Sequence, residues 1–284
     1  MPSKQLTELE KTHLDEAFRF VRSKTRLRPK IALILGSGLG NFAKVLKVES
    51  SLSSGQIPYY PQSSVQGHAG KLIFGFVKAG NESSPPVLVL KGRVHFYESG
   101  SLDRVVFPIL LLHRLGINSL IVTNAAGGAN RQFSPGDLML IKDFIQISMP
   151  PASIPGRKSP GRFLRAERRP SFDDGLQEII RGAAAECEIP LQEGTYCWFK
   201  GPSYETRSEV QMAKRLGADA VGMSTVPEVV AACQLGMRVA GISLISNLAT
   251  GISLEKLSHQ EVTDTANRVQ ARFTNLLRTT LLNL

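Results

Sequence analysis

The 284-residue sequence is poor in cysteine and has no long apolar run. Its three cysteines, Cys187, Cys197 and Cys233, are odd in number and lack a Cys-x-x-Cys spacing. This is typical of reduced thiols and argues against a disulfide framework or a zinc site. No apolar stretch approaches the roughly 18 residues of a transmembrane helix, and the first residues lack the apolar core of a secretory signal. We therefore expect a cytoplasmic protein that has no membrane partner.

The sequence has enough apolar residues for a packed core, and an excess of positive charge. Apolar residues make up 42% of the chain and the formal net charge is +10. Six basic residues lie between positions 157 and 169, with Glu167 as the acidic residue among them. A basic excess can serve nucleic acid, an acidic surface or an anionic substrate. Because few aromatic residues accompany this stretch, we interpret it as a solvated loop and expect no nucleic-acid partner.

The alternation of apolar segments predicts an α/β fold. Buried strands are expected at 31–35, 87–90, 119–123 and 239–245, and helices near 6–24, 102–115, 204–216, 226–236 and 258–281. This order favours a twisted, mixed, largely parallel β-sheet flanked by helices. The first helix would be amphipathic, with one apolar face formed by Leu6, Leu9, Ala17, Phe20 and Val21. Without an internal repeat or a long linker, residues 1–284 are predicted to form a single domain, with 149–172 as an excursion.

A glycine-rich turn follows the first predicted strand. The dinucleotide fingerprint GxGxxG fails there because position 41 is Asn41, and no GxxxxGK[ST] loop occurs. A Rossmann oxidoreductase is therefore disfavoured. The turn still exposes backbone N–H groups that can cradle a phosphate, and Ser37 adds a hydroxyl. A plain tight turn is the alternative.

A second cluster combines Arg93, His95, Tyr97 and Glu98. If this segment is extended, positions 93, 95 and 97 point to one face. The arginine could then grip two phosphate oxygens, and the histidine could donate to a third. Glu98 could hold the other ring nitrogen of His95. A surface strand with solvated charges is the alternative.

These and five further motifs, in this order, resemble the purine nucleoside phosphorylases of the trimeric inosine–guanosine type. The motifs lie at 36–40, 67–70, 92–98, 123–128, 201–206, 222–225 and 246–247. The similarity runs from about residue 30 to 260. It implies the nucleoside phosphorylase fold, a homotrimer, and phosphorolysis of purine nucleosides in purine salvage. Inorganic phosphate would be a co-substrate, and neither a metal nor another cofactor is implied.

The resemblance also implies roles for individual residues. The expected phosphate contacts are Ser37, His68, Arg93, His95, Ala125 and Ser224, with Glu98 supporting His95 and with His68 on a closing loop. The expected purine contacts are Ala126, Gly127, Tyr204, Glu205, Val221 and Asn247. The expected ribose contacts are Tyr97, Met223 and His259. Among these, Asn247, Glu205 and His95 are the expected catalytic residues.

Two residues in this set bear on the choice of base. Glu205, which alone would pass as a cap in a first helical turn, would accept N1–H of a 6-oxopurine. Asn247 offers both a donor and an acceptor and could face N7 and O6. The N1 atom of adenine is an acceptor, and a buried mismatch with Glu205 costs about 1–3 kcal/mol. We therefore expect inosine and guanosine as substrates, with discrimination against adenosine.

Two alternative functions remain open, and the sequence departs from the pattern of this family at two places. The chain could instead be a phosphorylase of 6-aminopurine nucleosides such as methylthioadenosine, or a non-catalytic purine-binding module. Members of the family carry a phenylalanine that reaches the neighbouring subunit, for which Phe163 is a candidate within dissimilar surroundings. Leu248 stands where some members have lysine beside the base asparagine.

Overall fold

The structure is a computed structural model that describes residues 8–65, 70–147, 172–252 and 259–284. Three of the sequence-based expectations fall outside this part of the chain. They are the His68 gate, the candidate Phe163, and the basic segment 157–169. His259 begins a helix, and its side chain lies outside the described part as well.

Helices and strands alternate along the described chain. The helices are α1 (Glu8–Lys24), α2 (Phe96–Ser99), α3 (Leu102–Arg114), α4 (Asp174–Glu186), α5 (Arg207–Arg215), α6 (Val226–Gln234) and α7 (His259–Leu282). The strands are β1 (Ile31–Leu35), β2 (Leu46–Ser53), β3 (Lys71–Ala79), β4 (Glu82–Ser83), β5 (Val87–Lys91), β6 (Ser119–Gly128), β7 (Leu138–Gln146), β8 (Leu191–Trp198), β9 (Ala220–Gly222) and β10 (Arg238–Leu248). Within the described ranges, no helix is long and apolar enough to cross a membrane.

The strands form one mixed sheet. Its centre is parallel, with β1 between β5 and β6 and with β10 beside β6. Towards one edge, β3 and β2 run antiparallel to their neighbours. Towards the other edge, β10 also pairs with β7. The pairing then continues from β7 to β8, from β8 to β9 and from β9 back to β6, so that these strands and β10 form a closed ring. The predicted single-domain α/β fold with a mixed sheet flanked by helices is confirmed.

Apolar packing on both faces explains why the central strands are continuous apolar runs. In β1, Ala32 and Ile34 contribute to one core cluster, with residues of α1, α3 and α6. The alternate residues Ile31, Leu33 and Leu35 contribute to the other, with residues of α4 and α7. Because successive side chains of a strand point to opposite faces, a strand covered on both faces needs an apolar residue at every position.

The amphipathic face of α1 differs from the prediction at one position. Ala17 and Val21 are buried as expected, whereas Leu9 is 65% exposed. Leu9 lies near the start of the helix, and the buried residues of α1 are Leu14, Ala17 and Val21, further along it. The apolar spacing therefore predicted the correct buried face of α1, but this face begins further along the helix than predicted.

Candidate active site

A cavity of about 310 Å³ lies where the carboxyl ends of the central parallel strands meet, the edge at which open α/β sheets bind ligands. It brings together nearly all of the described residues that the sequence singles out. Those lining it are Ser37, Arg93, His95, Tyr97, Ala125, Ala126, Gly127, Tyr204, Glu205, Val221, Met223, Ser224 and Asn247. Glu98 lies behind His95 and contacts it.

The turn after β1 packs directly against β6. A Cβ atom on Gly36 would lie 2.7 Å from the carbonyl oxygen of Thr123 and from the Cα atom of Asn124. The Gly36 N–H donates to the Thr123 hydroxyl (3.2 Å), which donates to the carbonyl of Ile34 (2.9 Å). Glycine is needed here for this close approach, and the approach places Ser37 beside the end of β6. The chain continues into a 3-10 helix, Gly40–Val45, rather than the α-helix that a dinucleotide fingerprint opens.

Arg93 is buried and lines the cavity, and its guanidinium donates to three groups of the described residues. One terminal nitrogen donates to the Thr225 hydroxyl (3.1 Å) and to Glu228 Oε1 (3.2 Å), and the other donates to the carbonyl of Thr123. Both members of the Arg93–Glu228 ion pair are buried. A buried pair of this kind fixes geometry, because removing either partner leaves an uncompensated charge.

The condition that the segment 93–97 be extended is not met, because the chain is extended at His95 but helical from Phe96. Phe96–Ser99 forms the short helix α2, with His95 as its N-cap and with Gly100 ending it at φ +65°. The Glu98 carboxylate folds back onto the N-cap, accepting from the His95 N–H (2.6 Å) and from Nδ1 (3.1 Å). His95 and Tyr97 still line the same cavity, and their rings stack with centroids 5.0 Å apart.

Glu98 also connects α2 to the loop before residue 66. Its Oε2 accepts from the Ser64 N–H (2.6 Å) and from the hydroxyls of Ser63 and Ser64 (each 3.0 Å). Burial would raise the pKa of Glu98, but the hydrogen bonds from His95, Ser64 and Ser63 outweigh it and lower the pKa to about 2. The carboxylate is therefore ionised and can only accept. The sequence analysis missed Ser63 and Ser64, for which the Ser-Ser pair gave no specific signal.

Glu205 lines the same cavity and presents a buried acceptor. Its side chain is 6% exposed, and Oε1 makes no hydrogen bond with any described residue. Burial raises the pKa of Glu205; its own N–H opposes this shift and Glu209 adds to it. Glu205 precedes Thr206, the N-cap of α5, so the expectation that it lies in the first helical turn is wrong. A buried acceptor without a partner is suited to a ligand N–H.

Asn247 lines the same cavity from β10. The pairing of β10 with β6 shifts register between Ile245 and Asn247, which brings Asn247 opposite Gly127. The amide oxygen of Asn247 accepts from the Ser246 hydroxyl (2.7 Å), and its nitrogen donates to the carbonyl of Leu248 (3.1 Å). A primary amide has two N–H groups and two lone pairs on oxygen, so one of each remains for a ligand.

Thr225, which was not predicted as a site residue, lies beside Arg93 and has an unusual backbone conformation. It has φ +76° and ψ −53°, and the Val226 N–H donates to the Ser224 carbonyl (2.8 Å) across it. This is a γ-turn of the positive-φ form, which is strained for a β-branched residue and costs on the order of 1–3 kcal/mol. In sequence, a threonine before a proline-containing helix start predicts an ordinary N-cap, but its side chain makes no cap hydrogen bond.

Met223 and Tyr97, which both line the cavity, approach each other across Gly201. A Cβ atom on Gly201, which has φ +70°, would lie 2.6 Å from Met223 Sδ and 2.7 Å from Tyr97 Cδ1. Tyr204 also lines the cavity and is 45% exposed. The lining therefore combines a thioether with aromatic rings, a surface suited to a sugar or a base.

Comparison with known proteins gives consistent matches over most of the chain. The model of the Phosphorylase superfamily matches residues 30–282. Purine nucleoside phosphorylase 1 of Bacillus subtilis strain 168 is 42% identical over 270 residues, covering 94% of this chain and 97% of that protein. Purine nucleoside phosphorylase of Rattus norvegicus is 43% identical over 251 residues, covering 86% and 85%.

Solved structures agree with the sequence matches. The crystal structure of Schistosoma mansoni purine nucleoside phosphorylase in complex with adenosine matches with a TM-score of 0.83 at 32% identity, covering 96% of this chain and 97% of that chain. A schistosoma purine nucleoside phosphorylase in complex with hypoxanthine matches with a TM-score of 0.82 and the same coverage.

Proposed function

The chain belongs to the phosphorylase superfamily and, within it, to the purine nucleoside phosphorylases, and we propose that its substrates are 6-oxopurine nucleosides. In this proposal it converts inosine and guanosine, with ribose or deoxyribose, to the free base and the pentose 1-phosphate. Members of this family are pentosyltransferases. The single observation that carries the choice of base is the buried Oε1 of Glu205, which has no hydrogen-bond partner among the described residues and lies in the cavity that Asn247 also lines.

The base end fits a 6-oxopurine by its pattern of donors and acceptors. The Glu205 carboxylate would accept N1–H, and any 2-amino group of the base could reach the same carboxylate. Asn247 would donate its remaining N–H to N7 and so stabilise the negative charge that builds on the leaving purine. Ala126, Gly127 and Val221 would line the base, and Tyr204 would stack on it.

The opposite end supplies donors for phosphate. Arg93, His95, Ser37, Ser224 and the Ala125 N–H would hold the anion beside C1′ of the pentose. Tyr97 and Met223 would support the sugar in the middle of the cavity, with His259 at its 5′-hydroxyl, and His68 would close over the phosphate.

The reaction then follows from positioning and charge. A phosphate oxygen attacks C1′ as the bond to the purine nitrogen breaks, and the sugar passes through a cation-like state. The phosphate dianion balances that positive charge on one side, and Asn247 stabilises the departing base on the other. Preorganised donors of this kind are usually the largest catalytic contribution. The proposed chemistry uses phosphate as co-substrate and needs no other cofactor.

The second candidate is a preference for 6-aminopurine nucleosides. It is favoured by one observation, that the Schistosoma mansoni enzyme has been crystallised with adenosine. Adenine would place its N1 lone pair against the Glu205 carboxylate, so we expect adenosine to be a poor substrate here.

The test is base release from inosine, guanosine, adenosine and methylthioadenosine, each with and without phosphate. We expect phosphate-dependent release from inosine and guanosine, and a kcat/KM for adenosine lower by about 10- to 100-fold, as for one mismatched buried hydrogen bond. Glu205→Gln should lower kcat/KM for inosine by a similar factor. The ratio of kcat/KM for inosine to kcat/KM for adenosine should therefore be smaller in this variant than in the wild type. Glu82→Gln, at an exposed carboxylate, is the control. Equal kcat/KM for adenosine and inosine would refute the proposed base recognition.

We also propose that the chain assembles as a homotrimer, with Phe163 as the candidate residue that reaches the neighbouring subunit. Sedimentation equilibrium should then give about three times the chain mass of 31.0 kDa. A monomeric mass at the concentration used for the activity assays would contradict the proposal.

A further inference from the structure

We propose that Thr225 is a positioning residue that directs the hydroxyl hydrogen of Ser224 towards the bound anion. The inference deepens the proposed function, because it rests on phosphate binding between Arg93 and Ser224. Two features of Thr225 support it: a strained backbone conformation, and a buried hydroxyl oxygen with several hydrogen-bonding neighbours.

The side chain of Thr225 points into the protein rather than capping the helix that follows it. It is 1% exposed, and it makes no cap hydrogen bond to α6. A β-branched residue at φ +76° persists only where its surroundings hold it. The three polar groups around its hydroxyl do so, and they belong to Arg93, Asn124 and Ser224.

The Thr225 hydroxyl has one hydrogen and two acceptor lone pairs. The Arg93 guanidinium donates to it at 3.1 Å, and the Asn124 amide nitrogen donates at 2.9 Å. These two N–H groups fill both lone pairs. The third neighbour is Ser224 Oγ at 3.1 Å. The Thr225 hydrogen is therefore donated to Ser224.

This assignment determines what Ser224 can offer to a ligand. Because its oxygen accepts from Thr225, its own hydrogen points elsewhere, and Ser224 lines the cavity. The positive charge of Arg93 polarises the chain of hydrogen bonds and makes the Ser224 hydroxyl a stronger donor. Without the Thr225 hydroxyl, the Ser224 hydroxyl could rotate and present a lone pair to an anion, which would repel it.

The backbone of Ser224 is held from another side. Its N–H lies 3.3 Å from the hydroxyl of the buried Tyr196. Removing the Thr225 hydroxyl therefore changes the direction of the Ser224 hydrogen more than the position of the chain. A defect that arises in this way should be confined to phosphate.

The first experiment compares Thr225→Val, which keeps the shape and removes the hydroxyl, with Thr225→Ser, which keeps the hydroxyl. We expect Thr225→Val to raise KM for phosphate about 10-fold or more, as for the loss of a hydrogen bond to a charged group. KM for inosine should change little, and Thr225→Ser should restore KM for phosphate. Thr225→Ala removes the same hydroxyl with a smaller side chain and serves if the valine variant is unstable.

Thr280→Val is the matched control. Thr280 is also buried, and its hydroxyl donates to the Leu276 carbonyl (2.7 Å) within α7. This variant loses one buried hydrogen bond far from the cavity, so KM for phosphate should be unchanged. Equal increases of KM for phosphate and for inosine in Thr225→Val, or no rescue by Thr225→Ser, would mean that Thr225 acts only on folding.

A double-mutant cycle tests whether Thr225 acts through Ser224. If it does, Ser224→Ala with Thr225→Val should raise KM for phosphate no further than Ser224→Ala alone. Independent, multiplicative effects would overturn the inference. A normal KM in Thr225→Val beside a raised KM in Ser224→Ala would overturn it while leaving the phosphate site in place. An unchanged KM in Ser224→Ala would refute the placement of phosphate at Ser224 and the inference with it.

Discussion

Glu98 shows at the residue scale how a single carboxylate can hold two parts of the site. Each of its oxygens accepts a backbone N–H at 2.6 Å, one from His95 and one from Ser64. A glutamine has one carbonyl oxygen, so its NH₂ group would have to face one of these two N–H donors. Glu98→Gln therefore loses a hydrogen bond whichever way the amide turns.

We expect Glu98→Gln to lower the free energy of unfolding at pH 7 by about 1–3 kcal/mol. The pKa of Glu98 is lowered to about 2 in the folded protein. Its stabilising contribution is therefore full above the ordinary carboxyl pKa, near 4.5, and is lost as the pH falls from there towards 2. The difference between the wild type and the variant, measured by urea unfolding at several pH values, should shrink over that interval.

The exposed Glu49 provides the control, since Glu49→Gln should leave stability nearly unchanged at each pH. A difference for Glu98→Gln that is constant from pH 7 to pH 3 would show that the charge of Glu98 does not contribute. In that case the loss would come from packing alone.

The sequence was informative about residues whose chemistry is visible in their type. Arg93, Glu205 and Asn247 were singled out because a guanidinium, a carboxylate and an amide suggest what they can bind, and all three line one cavity. Thr225 and Tyr196 were not, because their surroundings depend on a backbone angle and on partners 28 to 132 positions away. No pattern within a short window of sequence contains that information.

At the scale of elements, the strands and helices that were predicted are present, but several others were not predicted. The predicted strands β1, β5, β6 and β10 and the predicted helices α3, α5, α6 and α7 are all present. By contrast, β2, β3, β7, β8 and α4 were not predicted. Polar residues interrupt the apolar pattern of β2 and β8, whereas β3 and β7 contain apolar runs that were passed over. The sequence analysis also allowed 93–97 to be extended, because a four-residue helix is too short to show a 3.6-residue period.

The loop between β8 and α5 gives a prediction at the same scale. Gly201 separates Met223 from Tyr97, and a methyl group there would contact both side chains at less than 3 Å. Gly201→Ala should displace the proposed sugar-binding surface and raise KM for inosine by roughly 10-fold, with a smaller effect on KM for phosphate. Steady-state kinetics with each substrate varied in turn measures both values.

Gly217→Ala separates the contact from the backbone effect. Gly217 also has positive φ, +96°, but an added Cβ would meet nothing within 4 Å. Both variants should lose about 1 kcal/mol or more of stability, because alanine is strained at positive φ. Only Gly201→Ala should change KM for inosine. If KM for inosine were similar in the two variants, the loop would have to accommodate the added methyl group without displacing Met223 or Tyr97.

At the scale of the whole molecule, strand order decides which residues meet, and sequence patterns do not specify it. The pairing of β10 with both β6 and β7 closes five strands on themselves and brings Asn247 opposite Gly127. These positions are far apart in the chain, and no local propensity selects one partner strand over another. The motifs could be predicted to share one edge of the sheet, but their arrangement around a cavity required the pairing. The cytoplasmic location stays a prediction.

Because we propose that phosphate and base bind to different residues of one cavity, each ligand should stabilise the protein separately. A ligand that binds only the native state raises stability by about 2.7 kcal/mol at 100 times its Kd, roughly 5–10 °C in Tm for a chain of this size. In thermal unfolding, phosphate and hypoxanthine should each raise Tm of the wild type. Glu205→Gln should lose the shift with hypoxanthine and keep the shift with phosphate, and Ser224→Ala should do the reverse. A variant that loses the Tm increase with both phosphate and hypoxanthine would contradict this prediction. The two ligands would then not bind at separate sites, because one local substitution would have disturbed the whole cavity.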